Sequence, residues 1–255
     1  MTAPVARLAG VEVDYARGPA LGPFDLNLMA GEIVALVGPS GCGKSTALRL
    51  LAGLEAPTRG TVARASAPGE TAVVFQAPTL MPWASALDNV ALPLRLAGTS
   101  AQEAKARAAE GLARVGLSDA AAAKPAQLSG GMAMRAALAR ALVTDPALLL
   151  LDEPFAALDA ITRRALGETV QGLWAQQRPA VVFVTHDVEE AVFMASRVIV
   201  MTPGPGRAAA EIAMTEPLPR PAAWRHSPGF HALADQVAEA LAAAMSPAQA
   251  RKGAA

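Results

Sequence analysis

Only one cysteine, Cys42, occurs among the 255 residues. An intrachain disulfide is therefore excluded, and a reducing compartment fits. Charge is scarce: Asp, Glu, Lys and Arg make up 17%, against roughly 25% in an average protein. With 53% hydrophobic residues, that excludes disorder for most of the chain. Neither sign prevails, since 22 basic residues balance 22 acidic ones, which argues against a basic nucleic-acid-binding domain. Aromatic residues are only 4%, and alanine inflates the apolar count. Long apolar runs are missing too. Ala147–Leu151 and Ala180–Val184 are a few residues long, against roughly 18 or more for a spanning helix. Met1–Gly10 lacks a charged stretch followed by an apolar core, so no secretory signal is expected and the protein is expected in the cytosol unless something recruits it to a surface. Internal repeats and coiled-coil heptads are absent. What remains is enough chain for one large domain or two small ones, each with a proper core.

Short apolar runs alternate with longer helical stretches. Ile33–Val37, Val73–Phe75, Leu148–Leu151, Val181–Thr185 and Val198–Met201 are candidate strands. Most are continuous rather than alternating, as strands buried on both faces are, and this predicts a largely parallel α/β sheet. No strand candidate lies between about 77 and 142, so that stretch reads as a mostly helical insertion. Ser100 with Glu103 predicts a capping box opening a helix that Gly116 closes. Asp187 with Glu190 predicts a similar box. After Thr202 the composition shifts to Pro, Gly and Ala. One late helix is predicted there, with Ser227 as cap, Pro228 in its first turn, and Phe230, Leu233, Val237 and Leu241 on one face. The last residues are expected to fray.

Gly38-Pro39-Ser40-Gly41-Cys42-Gly43-Lys44-Ser45-Thr46 follows the strand Ile33–Val37 and opens a helix predicted to run to about Ala52, with Gly53 as its stop. This is G-x-x-x-x-G-K-[ST] in its required strand–turn–helix setting. Glycines let successive N–H groups point inward at phosphate oxygens, and the helix N-terminus adds partial positive charge. Lys44 would reach the β- and γ-phosphates, and Ser45 would offer its hydroxyl to Mg²⁺. Cys42 reads as a small residue tolerated where the backbone binds; a bulky thiol reagent is expected to block nucleotide binding there. The apolar run Leu148–Leu151 ends in Asp152 and Glu153. Ligands bind at the carboxyl ends of strands in open α/β sheets. Asp152 would hold Mg²⁺, and Glu153 would polarise the attacking water.

Leu128-Ser129-Gly130-Gly131 lies between these two motifs. Together the three resemble the nucleotide-binding subunit of ABC transporters, from about Arg7 to Met201 and more weakly beyond. The resemblance implies a P-loop NTPase core with a mostly parallel sheet, an N-terminal antiparallel β subdomain and a helical signature subdomain at about 77–142. It places a cassette at 1–227 and a short helix and tail at 228–255. Gln76 resembles the family's glutamine loop, which senses the γ-phosphate through Mg²⁺. Asp159, in Ala157-Leu158-Asp159, resembles the loop that couples two nucleotide sites. His186 resembles the switch histidine, and Tyr15 the aromatic that stacks on adenine. Ser129, Gly130 and Gly131 would face the γ-phosphate held by the opposite subunit, so two chains would close head-to-tail over two ATP molecules.

Two departures stand out. After the signature, where the family commonly has Gln or Met-Arg-Gln-Arg, the chain reads Met132-Ala133-Met134-Arg135, and Ala133 and Met134 cannot hydrogen-bond as the usual residues do. The stretch between Thr61 and Val73 is also short for the family's hairpin. Thr79-Leu80-Met81-Pro82-Trp83 corresponds to the region that meets the membrane subunit, with Trp83 as a candidate anchor. Met201–Arg207 and Pro217-Leu218-Pro219-Arg220-Pro221 resemble the importer branch for nitrate, sulfonates and taurine. The implied protein is a peripheral ATPase on the cytoplasmic face of the membrane. It would pair with a like subunit, bind permease subunits and meet a substrate-binding protein indirectly, without nucleic acid. Rival readings are a soluble ABC-type ATPase, a slow or degenerate ATP-binding subunit, and an exporter component.

Overall fold

The computed structural model describes residues 3–64 and 70–246. The expected frayed end beyond 246, and part of the shortened stretch between Thr61 and Val73, lie outside them. β1 (Ala6–Tyr15) and β2 (Gly18–Leu28) form an antiparallel hairpin. β3 (Ile33–Val37) leads into α1 (Lys44–Ala52), and β4 (Arg59–Arg64) returns to the free edge of β1. β5 (Thr71–Val74) precedes three helices: α2 (Ala86–Leu96), α3 (Ala101–Arg114) and α4 (Gly130–Leu142). Then come β6 (Leu148–Asp152), α5 (Ala160–Gln177), β7 (Ala180–Thr185), α6 (Val188–Met194), β8 (Arg197–Met201), β9 (Ala208–Ala213) and α7 (Pro228–Met245).

The larger sheet has the order β5-β6-β7-β3-β8-β9 and is parallel except for β9. Its central strands divide their side chains between two cores. Val34, Leu36, Leu148, Leu150, Val182 and Val184 pack with α1 and the antiparallel sheet. Ile33, Ala35, Val37, Leu149, Leu151, Val181 and Phe183 pack with the remaining helices. Burial on both faces is why these strands read as unbroken apolar runs.

Helix starts follow local chemistry. Ser85, Ser100, Ser129, Asp159, Asp187 and Ser227 each accept a backbone N–H with the side chain at an N-cap. Gly53 ends α1 at φ 71 and Gly116 turns the chain after α3 at φ 68. Both expected capping boxes are only half formed. Glu103 makes no return bond to Ser100, and Glu190 instead accepts the Thr185 hydroxyl at 2.6 Å. The strand expected at Val73–Phe75 is Thr71–Val74, with Phe75 exposed beyond its end. β1 breaks its alternation by register shifts at Leu8/Val11 and Val11/Val13. β9 is an alanine-rich edge strand. Neither has the period that marks a strand in sequence.

Candidate functional site

Because β5, β6, β7 and β3 run parallel, their carboxyl ends share one edge of the sheet. Gln76, the Asp152–Glu153 pair, His186 and Gly38 leave from those ends in that order, so topology alone assembles four separate segments. The loop from Gly38 to Gly43 demands its glycines. Gly41 and Gly43 have φ 77 and 98. A Cβ on Gly43 would lie 2.7 Å from the Ala20 carbonyl, and one on Gly38 would meet Cys42 Sγ at 2.9 Å. Lys44 is buried, and its ammonium donates to the carbonyls of Gly38 and Pro39 at 2.8 and 2.9 Å.

Ser45 Oγ donates to Asp152 Oδ1 at 2.9 Å, joining the loop to the end of β6. Glu153 sits in the left-handed region at φ 46, with its N–H on the Val184 carbonyl at 3.1 Å. Its Oε2 lies 3.5 Å from Nδ1 of the exposed His186. Tyr15 is half exposed, and its hydroxyl is 3.5 Å from Thr46 Oγ1 at the start of α1. Cys42 is 1% exposed; burial raises its pKa, although Lys44 pulls the other way. That burial changes the expected alkylation: the thiol is both covered and mostly protonated.

The signature segment stands elsewhere. Ser129 caps α4, accepting the Met132 N–H at 3.2 Å, and its hydrogen bonds stay within that helix. A Cβ on Gly130 would meet nothing within 4 Å, whereas one on Gly131 would press on Thr162 Cγ2 at 2.6 Å. Thr162 in turn donates its hydroxyl to Asp159 Oδ2 at 2.6 Å, and those bonds hold the Asp159 carboxyl below its usual pKa. Asp159 therefore spends its side chain on the head of α5. Met134 faces the helical core, and Arg135 donates to the Val115 carbonyl at 3.0 Å.

Three residues outside the motifs shape the site. Arg163 donates to the Leu158 carbonyl at 3.1 Å and Asp187 Oδ2 at 3.2 Å, and pairs with Glu190 at 3.3 Å. It thus ties the turn before Asp159 to the segment after His186. Arg140 on α4 donates to the carbonyls of Pro78 and Thr79 at 3.0 and 2.8 Å. Thr79 adopts φ 48, an outlier for a β-branched residue. Asn89, fully buried, binds Met81 N–H at 2.7 Å and the carbonyls of Met81, Ala84 and Ser85. These two residues mould the loop after Gln76 and leave Trp83 73% exposed. Their partners are remote or irregular backbone, which leaves no periodic trace in sequence.

A covered parallel sheet whose central strand feeds a glycine loop into a helix, beside a strand ending in paired carboxylates, is the architecture of a P-loop nucleoside triphosphatase. The sequence profile of the ABC transporter family matches residues 21–156. The taurine import ATP-binding protein TauB of Chromobacterium violaceum is 47% identical over 194 residues, 74% of each chain. The aliphatic sulfonates import ATP-binding protein SsuB 2 of Streptomyces avermitilis is 46% identical over 220 residues, 86% of this chain and 85% of that one. A dimeric post-hydrolysis structure of the ATP-binding cassette MJ0796, bound to ADP and Pi, is 34% identical with TM-score 0.73, covering 83% of this chain and 99% of that one. The chain belongs to the ABC transporter family, as one of its ATP-binding and ATP-hydrolysing subunits. No helix of the described residues is long and apolar enough to cross a membrane.

Proposed function

We propose that the chain is the ATPase of an importer for taurine, an aliphatic sulfonate or a related small anion such as nitrate. Its cassette would span 1–227, followed by a short C-terminal helix and tail at 228–255. It would lie on the cytoplasmic face of the membrane as a homodimer or paired with a like subunit, bound to permease subunits and fed indirectly by a substrate-binding protein. The names of its relatives support the cargo class. The observation that carries the ATPase reading is the Ser45–Asp152 hydrogen bond, which joins the two motifs at one point.

The residues fit a nucleotide with its magnesium ion. Ser45 and Asp152 offer hard oxygen donors, with Gln76 on the same sheet edge. Among the described residues no cluster of three or more His, Cys, Asp or Glu side chains could hold a metal, as suits an ion gripped chiefly through phosphates. When bound, Mg²⁺ neutralises charge on the β- and γ-phosphate oxygens. The backbone N–H groups of the Gly38–Gly43 loop, Pro39 having none, cradle the phosphates, with Pro39, Ser40, Gly41 and Cys42 forming the wall. Lys44 contributes its charge and Thr46 the first turn of α1. Tyr15 stacks on the base. Glu153 accepts a proton from the attacking water, while His186 contacts the γ-phosphate and steadies the Glu153 carboxylate. Ser129, Gly130, Gly131 and Asp159 serve the site across the dimer, and Trp83 anchors the permease.

The test reconstitutes the chain with its cognate permease and binding protein, and screens taurine, alkanesulfonates, nitrate and pyrimidines for stimulated ATPase. Stimulation by a sulfonate or taurine supports the cargo class. ATPase that no solute stimulates, with transport absent, overturns it.

A further inference from the structure

The turn after Met201 packs Gly204 and Gly206 against Gly41 and Cys42 of the phosphate loop, and further on the chain holds the most buried arginine among the described residues. Arg220 is 4% exposed. Its Nη1 donates to the carbonyls of Val192, Phe193 and Ala195 at 2.7, 2.9 and 2.8 Å, all at the end of α6. Its Nε and Nη2 donate to the Glu216 carbonyl at 3.0 and 2.6 Å. Its backbone N–H donates to Gln171 Oε1 at 2.6 Å, and the buried Gln171 amide donates back to Phe193 at 3.1 Å. The guanidinium lies 4.7 Å from the Trp224 ring centroid, and Trp224 packs edge-on against Phe230 of α7. Burial lowers the Arg220 pKa to about 10, which leaves it charged at neutral pH.

Helices usually satisfy their last carbonyls with solvent or a C′ glycine. α6 ends without one; Ala195 turns straight into extended backbone at φ −87 and ψ 151. Arg220 supplies the missing donors, with a positive charge at the helix's negative end. The other end of this seven-residue helix begins directly after His186-Asp187. Packing against α5 does not settle the position of α6 by itself. A cleft of about 350 Å³ opens between them, lined by Phe155, Arg163, Gly167, Val188, Met194 and Arg225. Two polar clamps span that gap: Arg163 at the head of α6, and Gln171 with Arg220 at its tail.

We propose that Arg220 is a positioning residue for hydrolysis: by gripping the tail of α6 it sets the helix whose head carries His186, so the segment from Met214 to Met245 is a brace for the switch histidine. This rests on the reading of His186 as the group that meets the γ-phosphate. The brace acts on orientation of the reacting groups rather than on nucleotide affinity, since none of its residues lies in the phosphate loop.

The full chain is tested as Arg220→Lys, Arg220→Met, Gln171→Met and His186→Ala. Readouts are kcat and KM for ATP with Mg²⁺, and the ring resonance of His186 at fixed pH, assigned by its loss in His186→Ala. Arg220→Met is expected to lower kcat at least tenfold with KM within twofold and to move the His186 resonance. Arg220→Lys should recover part of kcat, and Gln171→Met should shift both readouts the same way. An unchanged kcat, or a lower kcat with an unmoved His186 resonance, overturns the brace. If no variant of Arg220 or Gln171 folds, the cluster serves folding alone and the proposal is overturned. Wild-type kcat in His186→Ala sinks the switch reading instead, whatever Arg220 does.

Discussion

Outside the glycines of the phosphate loop, Glu153 is the candidate site residue held in the left-handed region, at φ 46. Such a residue costs on the order of 1–3 kcal/mol and persists where surrounding structure dictates it. Here the Val184 carbonyl dictates it, and the carboxylate ends beside His186. A positioned general base contributes roughly 10²–10⁴-fold. Glu153→Gln should therefore lower kcat by about that factor while ATP still binds, measured by phosphate release and nucleotide binding in parallel. Lys44→Ala should act on binding. A hydrogen bond to a charged group contributes about 1.5–3 kcal/mol, or roughly 10–100-fold in Kd; a Kd within twofold of wild type would remove Lys44 from the phosphates. Cys42 should react slowly with a bulky maleimide, because burial both covers the thiol and keeps it protonated. These residues were legible in sequence because each sits in a contiguous motif at a strand end. Arg163 and Arg140 were not, since their partners lie 24 and 61 residues away.

At the scale of elements, the central strands were legible for a physical reason. Burial on both faces forces unbroken apolar runs, and Ile33–Val37 and Leu148–Leu151 carry that constraint undiluted. β1 is written less clearly because its bulges break the period, and β9 because alanine is a poor strand former. The helix caps were written plainly, yet Glu190 was drawn from its box by Thr185, a partner no local pattern specifies. The two signature glycines, identical in sequence, differ in space. Gly130→Ala meets open space in the first turn of α4 and should be neutral or stabilise by up to about 1 kcal/mol. Gly131→Ala drives a methyl onto Thr162 and should cost about 1–3 kcal/mol. Thermal unfolding of the nucleotide-free variants checks the order. If Gly131→Ala proves the more stable of the two, the contact between the heads of α4 and α5 is wrong.

At the scale of the whole molecule, the strand ends present a phosphate cradle, a carboxylate pair and a histidine, all on one edge. The head of α4 belongs to the helical layer, and Ser129 bonds only within its own helix. A helix N-terminus of thirteen residues with open space at Gly130 is a strong electrostatic partner for phosphate. The proposed role, serving a cradle on another chain, calls for an uncovered Gly130, whereas Gly131 is packed on Thr162. On that proposal, association would depend on unhydrolysed nucleotide, because the γ-phosphate would be the charge that the two chains share. Glu153→Gln with ATP and Mg²⁺ should elute as a dimer in size-exclusion chromatography with light scattering, and as a monomer with ADP. Adding Ser129→Arg, which sets a bulky side chain at the head of α4, should return the ATP-loaded chain to monomer while nucleotide binding to the separate chain stays within about threefold, since about 0.6 kcal/mol separates threefold affinities. A dimer that survives Ser129→Arg, or forms equally well with ADP, would mean that the contact between copies lies away from the head of α4.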